Sequence, residues 1–276
     1  MLELFMHPFM IKALIVGVLI AVCCALLGVV LVLKQYSMIG DGLSHVGFGA
    51  LSVAAVLNLS TPIYLSLPVV MVAAFFLLRI TETSKVSADA AIAVISSSAL
   101  AIGVFIASIN GTNINLQQYM FGSILSVGES DLVISIVLSV FVIAMYFLFY
   151  NKIFAITFDE DFARATGIRT GVYNTVISLL TAITIVVGMR MLGTMLISAL
   201  IIFPALTSMR LYRRFFTVII SSVVISVFCV VAGLFTSFTV SDIPVGATIV
   251  LFNLAVFLVF AVIAFVKNLL SKKIRK

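Results

Sequence analysis

Residues 11–33 read IKALIVGVLIAVCCALLGVVLVL, with Lys12 as the single charge. As a helix this run is roughly 35 Å long at 1.5 Å per residue. That is enough for a bilayer core, which takes about 20 apolar residues. In any open conformation its peptide groups would go unpaired in lipid, so the run is a membrane-spanning helix. The segment in front of it, MLELFMHPFM, lacks the basic start and small-residue cleavage site of a signal peptide. The run is therefore expected to stay in place as a span.

Eight more apolar runs follow, at about Gly40–Leu57, Pro62–Leu78, Ala90–Ile109, Leu132–Tyr150, Val172–Val187, Leu192–Ser208, Phe216–Phe235 and Val245–Val266. Together they predict an all-α, polytopic transmembrane helical bundle of about 8–9 spans, with residues 1–276 forming a single membrane domain. Composition agrees: 63% of the 276 residues are hydrophobic and 9% charged, against about 25% charged in a soluble domain. The weakest boundary is Val172–Met209. There Gly188-Met189-Arg190 reads as a very short turn, and one of the flanking helices is a candidate for a broken or re-entrant segment.

Charge placement sets the expected orientation. Nine spans put the termini on opposite sides, and with the C-terminus inside, 14 of the 16 Lys and Arg residues fall in inner segments; only Lys12 and Arg190 fall outside. The N-terminus is thus expected outside and the tail KKIRK in the cytoplasm. The net charge of +6 reflects these edges next to anionic lipid and carries no nucleic-acid signature. Cys23, Cys24 and Cys229 lie inside apolar runs without metal-site spacing and read as packing residues.

Two connections exceed the minimum. The outer one, Asn110–Asp131, contains LQQYMFGSILSVG, an amphipathic piece too short to span. The inner one, Asn151–Gly171, contains Asp159, Glu160 and Asp161 ahead of Phe162, Ala163, Arg164 and Ala165, then Gly167. Acids at a helix start and Gly past its end predict a helix of about two turns. Its apolar residues would face water unless a partner covered them. A plain surface loop is the alternative.

Ionisable groups inside spans are costly and mark function. IGDGLSHVGFGALSV (39–53) holds two, Asp41 and His45, one helical turn apart on one face. Ser44, Gly49 and Ser52 extend that face with small or polar groups. A carboxylate and an imidazole suit a borderline divalent cation, with the remaining ligands supplied by water, carbonyls or a second subunit. The plain alternatives are an N-cap for Asp41 and an interhelical hydrogen bond for His45. His7 beside Pro8 reads as interfacial, and Glu129, Asp131 and Asp242 as loop carboxylates. Pro204 must kink its span or break its hydrogen bonding, as structure or as a gating hinge. No Walker A, GxSxG, HExxH or GxGxxG pattern is present, so the chain is not expected to be an enzyme or to hydrolyse ATP.

Five segments in order resemble one family, the integral-membrane permeases of ABC-type zinc and manganese uptake systems. They are LGVVLVLKQYSMIGDGLSHVGFGA (27–50), YMFGSILSV (119–127), FDEDFARATGI (158–168), LGTMLISALIIFPALTS (192–208) and DIPVGATIVL (242–251). The resemblance implies a permease in a prokaryotic plasma membrane that passes zinc or manganese, with a lean to zinc, and holds no permanent cofactor. It implies a second copy of the chain, an extracytoplasmic metal-binding protein and a cytoplasmic ABC ATPase as partners. Asp41 and His45 would then coordinate the ion transiently. Phe158 through Ala165 and Gly167 would couple to the ATPase. An ion-coupled secondary transporter and an ABC permease for an iron chelate are the competing classes. The first would show inverted repeats, and IGDGLSH has no counterpart in the second half; the second would need no ligands at Asp41 and His45.

Overall fold

The computed structural model describes residues 8–59, 63–83, 88–109, 122, 129–240 and 243–274. Among them every regular element is a helix: α1 (Pro8–Leu33), α2 (Ile39–Val56), α3 (Ile63–Thr83), α4 (Ala88–Ile109), α5 (Glu129–Leu148), α6 (Tyr150–Phe158), α7 (Glu160–Ala165), α8 (Thr170–Leu192), α9 (Thr194–Leu211), α10 (Phe215–Thr239) and α11 (Val245–Ile274). Each of the nine apolar runs became a helix. Seven are long and apolar enough to cross a membrane, and α5 with α6 forms an eighth candidate bent by 68°. The apolar part of α3, Tyr64–Leu77, is shorter. The outer piece LQQYMFGSILSVG lies outside the described residues except for Gly122, as do His7 and Asp242.

The interior is built around α1, which packs against α5, α8, α9 and α10. Its residues from Cys23 to Leu31 are almost all shut off from the surface, with Leu26, Leu27, Val29 and Val30 at 0–1% exposure. Apolar packing alone does not select neighbours in lipid, where close fit and polar contacts do so. Ser226 of α10 donates to the Ala21 carbonyl (3.1 Å), and the Cys23 thiol donates to the Ser139 carbonyl of α5 (3.5 Å). All three cysteines are buried free thiols, as packing residues should be.

α2 and α4 run parallel in close contact. Gly42 faces Ile92, and further along Gly49 faces Ala99 and Gly103. A methyl group on Gly49 would come within 2.9 Å of the Ala99 carbonyl oxygen, so this seam exists because the side chain is absent.

The expected turn at Gly188-Met189-Arg190 is not there. α8 continues through these residues to Leu192, and the break falls on Gly193, whose φ of 89° and ψ of 157° suit only glycine. Gly188 lies against Ile197; nine residues along one helix would separate them by about 13.5 Å, so the chain turns back at that single residue. Both α8 and α9 are long enough to span. Sequence reading misplaced the joint because Gly188 and Arg190 look like a turn, whereas Gly188 packs inside the bundle.

Candidate functional site

The start of α2 carries the polar pair. α1 ends in a Schellman turn: the Gln35 N–H donates to Val32 and the Tyr36 N–H to Leu31, with Gln35 at φ 62°. Three residues later α2 opens on Met38 as its N-cap, without a side-chain cap. Asp41 is therefore not the cap considered above. It sits in the first helical turn, where the exposed N–H groups favour an anion.

Asp41 Oδ2 and His45 Nε2 stand 3.6 Å apart, with side chains 45% and 27% exposed. That separation is too long for a hydrogen bond. Two ligands bound at about 2.1 Å to one tetrahedral ion would be about 3.4 Å apart, so small rotamer changes bring the pair onto a shared cation. The other imidazole nitrogen, Nδ1, is buried without a hydrogen-bond partner. Among the described residues no group of three or more His, Cys, Asp or Glu side chains converges. One chain thus offers two ligands and an incomplete shell.

The wider polar stripe is not formed. Ser44 and Ser52 are buried, and their hydroxyls donate to the Asp41 and Phe48 carbonyls of their own helix (2.7 and 3.0 Å). Gly49 faces α4. Helical spacing put these residues near the face, but α3, α4, α8 and α9 cover the sides of α2 and leave Asp41 and His45 as the partly exposed residues of its first half. The neighbouring Gly40 abuts Ser198 and Ile201 of α9. Ile201 lies ten residues before the end of α9, or about 15 Å, although Ile92, opposite Gly42, is only one turn inside α4. The pair is recessed with respect to α9.

At the same end lies the short helix. The Asp159 side chain accepts from the Phe162 N–H (2.8 Å) as a true N-cap, Glu160 and Asp161 occupy the first turn, and Gly167 at φ 84° closes a second Schellman turn. The predicted two-turn helix is present within a residue at each end. Ala163 is fully buried, whereas Phe158 and Phe162 are 57% and 64% exposed, and Asp159, Asp161, Arg164, Ala165 and Gly167 are exposed as well. Phe154, Phe158 and Phe215 stack with centroids 4.9–5.6 Å apart, fastening the end of α6 to the start of α10.

Glu160 points the other way. Its Oε2 receives Lys34 Nζ at 3.4 Å and its Oε1 receives Asn174 Nδ2 at 3.1 Å, while Lys34 also donates to Asn174 Oδ1 at 2.6 Å. Lys34 and Asn174 were not singled out from the sequence. The only signal was a lone cation at the end of an apolar run. Pro204 is buried in α9, which stays helical from Thr194 to Leu211.

Residues 6–264 match the model of the ABC 3 transport family. The chain belongs to that family. This permease is 28% identical over 250 residues to the manganese transport system membrane protein MntC of Halalkalibacterium halodurans, covering 90% of this chain and 85% of that protein. It is also 28% identical over 267 residues to the manganese import system permease protein ScaB of Streptococcus gordonii, covering 97% and 95%. In three dimensions the permease resembles PsaBC from Streptococcus pneumoniae in complex with Fab, with a TM-score of 0.80, 27% identity and 93% and 92% of the two chains covered. It is a multi-span membrane subunit of ABC transport and not itself an enzyme.

Proposed function

We propose that this permease admits a divalent metal ion to the cytoplasm as one subunit of an ABC importer, with manganese ahead of zinc as the cargo. The observation that carries the reading is the recessed, partly exposed Asp41–His45 pair, set at ligand spacing in the first half of α2. The lean to zinc that the family resemblance suggested gives way because both relatives above are named for manganese, and a carboxylate with an imidazole accommodates either ion. An incomplete shell suits a path, since an ion held by two protein ligands and water can leave as readily as it enters. Protonation competes with the metal for both groups, so acidification weakens binding.

The exposed Phe158 and Phe162, flanked by Asp161 and Arg164, form the face that receives a separate ATPase. Two copies of the chain flank the path, an extracytoplasmic binding protein delivers the ion, the N-terminus lies outside and the basic tail lies in the cytoplasm. Family membership supports the partners, and the positive-inside distribution supports the orientation.

The test is ATP-driven uptake of radiolabelled manganese, zinc and ferrous iron into vesicles holding the permease with its ATPase and binding protein. Wild type should accumulate one ion preferentially, and Asp41→Ala and His45→Ala should each lower uptake about a hundredfold while the assembly still purifies intact. Normal uptake by both variants would remove the pair from the path. Uptake of an iron chelate independent of both residues would favour the chelate-permease reading.

A further inference from the structure

Lys34, Glu160 and Asn174 form a closed triangle across three elements that are far apart in sequence. Lys34 follows the last residue of α1, Glu160 opens α7, and Asn174 lies in the second turn of α8. Both carboxylate oxygens and both ends of the amide are engaged, at 2.6–3.4 Å. The Lys34 side chain is 10% exposed, Glu160 is 34% exposed and Asn174 is 4% exposed. Exposed ion pairs are worth little. This one is largely desolvated, and removing one member leaves charge or amide groups stranded.

Position gives the triangle a use. Lys34 is followed by the Schellman turn at Gln35, and α2 begins five residues on, with Asp41 in its first turn. Glu160 is the inward-facing member of a helix whose other charged residues point outward. Arg164, also outward, pairs with the same carboxylate at 3.6 Å within the helix. A displacement of α7 therefore pulls on Lys34 through Glu160 and reaches the opening of α2 through one ordered turn.

We propose that Lys34, Glu160 and Asn174 are the positioning residues that pass movement of the ATPase-facing helix to the Asp41–His45 segment, an inference that rests on the docking role given to α7 above. A merely structural anchor would hold α7 in place without setting how much transport each ATP drives. The two roles separate in one ratio.

The complete permease–ATPase assembly is reconstituted in liposomes of phosphatidylethanolamine and phosphatidylglycerol with the binding protein. ATP hydrolysis and manganese-54 uptake are measured side by side, with ATPase retention followed on purification. Lys34→Met and Glu160→Gln should retain the ATPase and keep hydrolysing ATP while manganese taken up per ATP falls about tenfold. The exchange K34E/E160K should restore most of that ratio, because Asn174 offers a donor and an acceptor and serves the reversed pair by turning its amide over. An unchanged ratio in both single variants overturns the proposal. If the single variants fail to assemble, the exchange decides: assembly and ratio restored together support the latch, and assembly restored without the ratio reduces it to an anchor. Phe158→Ala with Phe162→Ala tests the docking reading separately. ATPase retained at wild-type strength by that double variant overturns the docking reading and the latch with it, whereas ATPase lost there and an unchanged ratio in the single variants defeats the latch alone.

Discussion

α2 and α11 invert the rule that soluble proteins obey. In α2, 67% of the spanning residues are buried inside the protein, yet this helix carries Asp41, His45, two serines and four glycines. In α11 only 11% of the spanning residues are buried, yet its outer face is Leu251, Leu254, Leu258, Val259, Val262 and Phe265. Lipid is as apolar as a leucine side chain, so burial there brings no hydrophobic gain, and the protein interior is where polar groups and close backbone contact belong. The difference separates two kinds of information. The outer helix says only that the chain lives in a membrane, while the inner one holds the polar groups on which the proposed function rests.

Substitutions should break this contrast in a graded order. The largest effect is expected at the pair: Asp41→Ala or His45→Ala should lower metal uptake by about a hundredfold, while the thermal midpoint of the purified assembly moves little, since losing even a residue that only orients a metal ligand costs about 10–100-fold. Next, Leu258→Lys on the outer face should cost about 2.5–3.5 kcal/mol of insertion, read as lost membrane-integrated protein in a glycosylation-mapping assay. Third, Gly49→Ala should destabilise the α2–α4 seam by about 1–3 kcal/mol despite alanine's better helix propensity. Gly171→Ala, with open space around it, should instead raise the melting temperature slightly, by at most about 1 kcal/mol of stability. Smallest is Leu251→Ala, which trades one lipid contact for another and should change stability by less than about 0.5 kcal/mol. If Leu251→Ala proved as costly as Gly49→Ala, that face of α11 would be a protein interface.

Much of this was legible in the sequence, for definable reasons. Apolar runs in lipid must pair their own peptide groups, and a helix does so within one segment, so nine runs became nine helices. The short helix was readable at both ends because Asp159 and Gly167 are local signals that need no tertiary context. Asp41 and His45 stood out because ionisable groups inside spans are rare. What escaped reading depends on neighbours distant in the chain. Ser44 and Ser52 are buried because other helices cover that side, and the α8–α9 joint moved to Gly193 because Gly188 is used for packing. α6 escaped because the apolar run ends at Tyr150 and Asn151 onward reads as a connection, whereas the chain bends at Phe149 and stays helical to Phe158. The Lys34–Glu160–Asn174 triangle joins residues 14 to 140 positions apart, and no periodicity announces such a contact.

Gly193 ties these observations to a mechanical constraint. With one residue between two spans, their end Cα atoms lie at most about 7.6 Å apart, two steps of about 3.8 Å, which leaves little slack. α8 carries Asn174 near its start, and α9 carries Ser198 and Ile201 against Gly40. The two helices behave as bars pinned at one joint, so α8 cannot slide along its axis without drawing α9 after it. Loosening that pin with inserted residues would let each bar move alone, and force applied beside Asn174 would no longer arrive beside Gly40 by that route.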